Sequence, residues 1–313
     1  MLPSPLRIGQ VLRGRLGTYT VSTRIQNTVW FARNHIDETV VVKCVNSHCR
    51  IENERDILNR FQAQTPYIRP LIDEIHDPAT PTTIVLKHLD DDLLQASIKK
   101  TLNRNEVNYV SKRILEALSV LHENGFVHTD IKPHNIFVNY REGEDEEVRF
   151  SDVQLGDFGG TYPQECKWAK AGIAIGAPIW NSPEVLMNAP WNTATDIWSF
   201  GTMLVTLIYG GGFNLFRPKD TPYGDENYRV EIVKSQFRYF GPFPAKYEEI
   251  ANRETVLHLT HLIPPSDMTP FGAVAEREVT KEDKEFILRI MQMDWRDRPT
   301  AKELLRDKWF LDE

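Results

Sequence analysis

The hydrophobic period of this chain changes close to Leu89, and that change limits the folds open to it. Before that point, apolar residues alternate with polar ones through "GTYTVSTRI", "TVWFARN" and "ETVVVKCV", as they do in half-buried strands. Two more strand-like runs follow near "RPLIDEI" and "TTIVLKHL", and only Arg50–Phe61 has helical spacing. Past "LDDDLL" the spacing lengthens. Val107, Val110, Ile114, Leu118 and Leu121 share one helical face, and Asn124-Gly125 supplies a stop. A strand-like "EVRFSDVQLGDF" and several helical patterns complete the chain. The pattern predicts an α+β protein with two units: a small β-rich unit with one main helix over 1–89, and a larger, mainly helical unit over 90–313. The cleft between two such units is the natural place for a ligand.

Composition narrows the function classes. Apolar residues make up 41% and charged residues 26% of the chain, as in ordinary globular proteins. A formal charge of -7 argues against general affinity for nucleic acid or an anionic membrane. "MLPSPLRIGQ" lacks the apolar run of a secretory leader, and Ile197–Gly210 is too short to span a bilayer, so it reads as a buried helix. Cys44, Cys49 and Cys166 lack paired or metal-type spacing; free thiols in a reducing compartment, cytoplasmic and/or nuclear, are expected. The acidic "EGEDEE" (Glu142–Glu147) reads as a solvated loop between two strands.

Three charges stand in apolar company. Lys43 lies inside "VVVKCV", where a buried ammonium needs a partner or an anionic ligand. Glu54 interrupts a helical stripe of Ile51, Leu58 and Phe61. Either charge alone is compatible with a side chain that snorkels to water; together, on adjacent elements, they favour a pair. Asp157 follows a strand in "VQLGDFGG", where the glycines allow either an ordinary turn or a carboxylate aimed into a cleft. A fourth stretch, "VHTDIKPHNIFV", sets His128, Asp130, Lys132 and Asn135 between apolar residues. It is either a solvated turn or the floor of an active site.

In this order the fragments resemble the eukaryotic protein kinase family, and the resemblance spans nearly the whole chain. Lys43 matches the strand lysine that holds ATP phosphates, and Glu54 its helix partner. "HTDIKPHN" resembles the catalytic loop, and "DFG" the metal-binding triplet. "SPE" (Ser182–Glu184) resembles the close of the activation segment. "DIWSFG" (Asp196–Gly201) resembles the central helix, and Arg298 the arginine that pairs with Glu184. The resemblance implies a bilobal kinase fold, ATP and Mg²⁺ as cofactors, and a protein Ser/Thr hydroxyl as acceptor. It assigns Asp130 to the substrate hydroxyl, Lys132 to the transferred phosphate, and Asn135 and Asp157 to Mg²⁺. His128 is assigned to bracing the loop with Asp196. For the base it implies a hinge with Leu86 as gatekeeper and His88 and Leu89 offering backbone groups. Val29, Val41 and Phe137 would sandwich the ring, with Asp92 near the ribose. "HTDIKP" and "YFGPFP" are most similar to the SR-protein-kinase side of the CMGC group and to fungal kinases.

The chain departs from the family pattern at three places. Aligning "TVWFARN" after the glycine-rich loop puts Ser22, Arg24 and Asn27 where glycines belong, with Arg24 offering a cation in compensation; a second frame would use Gly14 and Gly17. Side chains there hinder the approach of backbone N–H groups to phosphates, so weak ATP binding is expected. Ala177 replaces a threonine usual near the substrate, and Lys132 favours Ser/Thr over Tyr. The resemblance therefore implies an active Ser/Thr kinase, with two alternatives. One is a pseudokinase acting as a binding module; the other, a small-molecule kinase, fits poorly with "SPE", "DIWSFG" and Arg298. Thr129 replaces the arginine that commonly receives an activation-segment phosphate, and Thr161 and Tyr162 are the only hydroxyls between Asp157 and Asn181. Phosphatase treatment is therefore expected to leave any transferase activity unchanged; abolition of activity by that treatment would contradict this.

Overall fold

The computed structural model describes residues 6–45, 49–79, 81–143, 147–250 and 267–311. Its first unit is a closed antiparallel barrel in the order β1-β2-β3-β4-β6-β5. The strands are β1 (Val11–Gly14), β2 (Thr18–Gln26), β3 (Val29–Arg33), β4 (Thr39–Cys44), β5 (Leu71–Asp77) and β6 (Thr83–Lys87), with helix α1 (Cys49–Phe61) between β4 and β5. Sequence periodicity located all of these except β1, which pairs with both β2 and β5 and closes the barrel.

Strand alternation separates core from cleft. Trp30, Ala32, Val40, Val42 and Cys44 fill the barrel, while Val29, Phe31, Val41 and Lys43 point the other way, into a cavity. Helix α1 buries Ile51, Glu54, Ile57, Leu58 and Phe61 on one face.

The second unit begins with a short strand β7 (Asp91–Asp92), helix α2 (Leu93–Lys99) and helix α3 (Arg104–Glu123). The start of α3 is fixed by a capping box. The Asn103 side chain accepts from the Glu106 amide, and the Glu106 carboxylate accepts from the Asn103 amide. The helix ends at Asn124, and Gly125 takes φ 73° just beyond it. Strands β9 (Ile136–Tyr140) and β10 (Phe150–Leu155) form an antiparallel pair, with the two-residue strand β8 (Phe126–Val127) before them. The acidic tract joins β9 to β10; its residues 144–146 lie outside the described residues. The helix Ala194–Tyr209 is buried over most of its length, so the apolar run there is core. Among the described residues no helix is long and apolar enough to cross a membrane. The three cysteines are free.

Buried Glu184 and Arg298 form a two-pronged ion pair, with N···O distances of 2.7 and 2.8 Å. It ties the segment ahead of the helix Ala194–Tyr209 to the C-terminal region.

A second anchor lies in the barrel. The carboxylate of Asp73 on β5 accepts from the amides of Arg15, Leu16 and Gly17 and from the Tyr19 hydroxyl, at 2.9–3.2 Å. Gly14 is required beside it, because a Cβ there would lie 2.1 Å from Asp73 Oδ2. Gly14 and Gly17 thus shape a turn clamped on β5, and neither glycine borders the cavity. Burial and the bond to Asp73 push the Tyr19 phenol above its ordinary pKa. Replacing Asp73 with Ala orphans these donors, and urea unfolding is expected to show a loss of about 2–4 kcal/mol; Tyr19→Phe, which removes one donor, costs about 1 kcal/mol.

Candidate active site

A cleft of about 680 Å³ lies between the barrel and the residues around β9. One end is polar. Lys43 extends from β4 and donates to both carboxylate oxygens of Glu54, each at 2.9 Å, and to Asp157 Oδ1 at 3.0 Å. Burial opposes the ammonium, but the two carboxylates more than offset it, and the Lys43 pKa lies above its usual value. The Lys43 ammonium in turn holds the Asp157 carboxyl down to about 2. Glu54 is 2% exposed, whereas the Asp157 side chain is 43% exposed and open to the cleft. The backbone of Asp157 is left-handed at φ 63°, an uncommon state for a non-glycine residue that gathers at functional sites.

The stretch after β8 forms the floor of the cleft. Asp130 Oδ2 accepts from Lys132 Nζ at 2.7 Å and from Asn135 Nδ2 at 3.0 Å. Its other oxygen, Oδ1, is buried without a hydrogen-bond partner. A buried acceptor left open in this way is costly unless an incoming donor completes it. Gly176 (φ 53°) makes room beside it, since a Cβ there would lie 2.5 Å from the Thr129 carbonyl and 3.3 Å from Asp130 Oδ1.

The loop is held from behind by Asp196, which is buried and accepts from the amides of His128 (2.7 Å) and Thr129 (2.9 Å) and contacts His122 Nε2 (2.9 Å). The bracing by His128 thus runs through its backbone to Asp196, while its ring meets the Gly156 carbonyl and packs edge-on to Phe158. Thr129 Oγ1 donates to the Gly160 carbonyl at 2.7 Å. From α1, Asn53 Nδ2 donates to the carbonyls of Phe158, Gly159 and Thr161. Two neutral side chains therefore fix the segment after Asp157 to the loop and to α1.

Asn135 and Asp157 offer oxygen donors on adjoining segments, and the Gly156 amide donates to the Asn135 carbonyl at 2.8 Å. Magnesium is commonly held by one or two such groups together with phosphate oxygens, so this donor set fits it. Among the described residues no cluster of three or more His, Cys, Asp or Glu forms a self-sufficient metal cage.

The other end of the cleft is flatter and more apolar, lined by Val29, Phe31, Val41, His88, Leu89 and Phe137. Asp92 also borders the cleft and caps α2, accepting from the Gln95 amide at 3.0 Å. Leu86 does not line the cleft; it is buried at 1% exposure in the core behind it. That departs from its expected contact with the base. Part of the wall comes instead from Arg69, which sequence reasoning missed.

Near the phosphate side, Ile25, Gln26 and Thr28 bring the β2–β3 hairpin to the cleft. Arg24, expected there as a cation, instead bonds within its own turn, to Asn27 Oδ1 (2.8 Å) and the Gln26 carbonyl (3.2 Å).

Residues 8–310 match the family model described as "Protein kinase domain". The chain is 29% identical over 185 residues to the serine/threonine-protein kinase pakE of Dictyostelium discoideum, covering 58% of this chain and 18% of that protein. It is 28% identical over 227 residues to the DNA damage response protein kinase DUN1 of Saccharomyces cerevisiae, covering 67% of this chain and 42% of that one. It therefore spans less than half the length of either relative. The structure superposes on a chain of the yeast RNA Pol II CTD kinase CTDK-1 complex with a TM-score of 0.74 and 18% identity, covering 94% and 93% of the two chains, a likeness of fold. The chain belongs to the protein kinase domain family, whose members use ATP with Mg²⁺.

Proposed function

We propose that this protein is an active Ser/Thr protein kinase. The observation that carries the reading is the joint engagement of Lys43 by Glu54 and Asp157, across from an Asp130 whose Oδ1 lacks a partner. Phosphoryl transfer asks little covalent chemistry of a protein; it asks for positioning, charge neutralisation and a proton acceptor. Asp130 Oδ1 orients the acceptor hydroxyl and takes its proton. Lys132, within 2.7 Å of Asp130, steadies the moving phosphate. Lys43, set by Glu54, holds phosphate oxygens. Asn135 and Asp157 are the residues that would hold magnesium, which when bound supplies charge neutralisation at the phosphates. The names of the relatives, serine/threonine-protein kinase among them, support a Ser/Thr hydroxyl as acceptor.

The second reading, a pseudokinase that binds partners without turnover, draws on the β2–β3 hairpin. That hairpin carries no glycine, and Arg24 is committed to its own turn.

Transfer of labelled phosphate from MgATP and, in parallel, MgGTP to generic acceptors and to the chain itself decides between them. Activity that Asp130→Ala and Asp157→Ala both abolish is expected; a parent protein no better than Asp157→Ala across several acceptors would leave the pseudokinase. A further variant checks the neutral lock on the segment after Asp157. Asn53→Ala should lower kcat several-fold while costing only about 1 kcal/mol of stability. An unchanged kcat would show that Asn53 does not position Asp157.

A further inference from the structure

Arg69 is a buried cation that the kinase reading leaves unused. It is 4% exposed, yet its side chain lines the apolar end of the cleft. Nε donates to the Lys87 carbonyl at 2.7 Å, and Cζ lies 4.1 Å from the centroid of the Phe137 ring. Its remaining guanidinium N–H groups have no hydrogen-bond partner and no ion pair among the described residues. Gly156 makes room for this packing, because a Cβ there would lie 2.7 Å from Phe137 and 3.3 Å from Arg69 Cδ. Burial lowers the Arg69 pKa to about 10, against the opposing pull of the Glu54 and Asp157 carboxylates, and leaves it charged at neutral pH. The guanidinium N–H groups without a protein acceptor are free to donate to acceptors on whatever enters the slot.

Purines differ at this kind of donor. Guanine and hypoxanthine present two acceptors side by side, O6 and N7, which match an arginine fork; adenine presents N7 beside an amine, itself a donor. At this end of the slot the Lys87 carbonyl, an acceptor an amine could use, already receives Arg69 Nε. An adenine amine would face N–H groups there, whereas a six-position carbonyl would accept from them.

We propose that Arg69 is a specificity-determining residue that selects nucleotides whose base carries a carbonyl at the six position, guanine or hypoxanthine, over adenine. The inference rests on the nucleotide-site reading above and deepens it.

The test is calorimetric titration of the whole chain with MgADP, MgGDP and MgIDP, repeated on Arg69→Leu and Arg69→Met. IDP isolates the six-position carbonyl, because it lacks the guanine amine. The unaltered chain is expected to bind GDP and IDP at least as tightly as ADP. Either substitution is expected to shift the IDP-to-ADP affinity ratio toward ADP by at least about tenfold. An unaltered chain that binds ADP more tightly than IDP overturns the proposal without any variant. It is overturned too if a variant keeps the ratio, or if all three nucleotides gain equally, since Arg69 would then merely fill the slot. Binding of none of the three by any of the proteins would overturn the nucleotide-site reading itself, and this proposal with it.

Discussion

The ammonium of Lys43 is the point on which the cleft is organised. It touches a carboxylate from α1 and another from the segment after β10, so one cation fixes three separate pieces of chain relative to one another. Two carboxylates share this one ammonium, and the charge of the buried Arg69 acts on the same pair. Asp157 is the more exposed of the two and faces the cleft. Glu54, buried and bound through both oxygens, has the structural share. Strand alternation makes this arrangement possible. Lys43 must point out of the barrel because Val42 and Cys44, its neighbours, fill the inside.

Around that centre, short neutral hydrogen bonds do work that charges could do. Thr129 reaches Gly160 directly, and Gly160 cannot carry a side chain there, because a Cβ would lie 2.9 Å from Thr129 Oγ1. Asn53 bonds three carbonyls of the same segment from α1. Asp196 accepts two loop amides while buried, so the loop conformation, including Thr129 at φ 75°, is imposed from below. Uncharged contacts of this kind do not depend on adding a phosphate, which fits the absence of an arginine at residue 129.

The polar end of the cleft was legible in the sequence because its residues break local rules. Lys43 and Glu54 interrupt apolar patterns of period two and of helical spacing, and a misplaced charge is visible without a structure. The β-strands and α3 were legible for the complementary reason, that their periods are kept. What escaped was whatever depends on contacts distant in sequence. Asp73 reads as an ordinary polar residue in "LIDEI", and nothing local announces that it gathers donors from residues 15–19. Strand β1 is four residues long and half exposed, too short to show a period. Arg69 in "YIRPL" reads as a charge at a strand entrance, where arginines ordinarily reach water. Its burial follows from the barrel and from Gly156, which is 87 positions away in the chain by residue number (156 − 69).

Grip and chemistry fall to different residues of the cleft. The residues that would meet the reacting atoms, Asp130, Lys132, Asn135 and Asp157, sit in a connected set of hydrogen bonds and ion pairs. Of the departures from the family pattern, the hairpin without glycines, with Arg24 turned back on itself, lies where a nucleotide would be gripped, whereas Thr129 and Ala177 lie by the loop and the acceptor. Loss of grip and loss of chemistry are separable in free energy, because interactions made equally in the ground and transition states set affinity without setting the chemical step. A site altered at its grip alone would therefore differ first in which nucleotide it holds and how tightly.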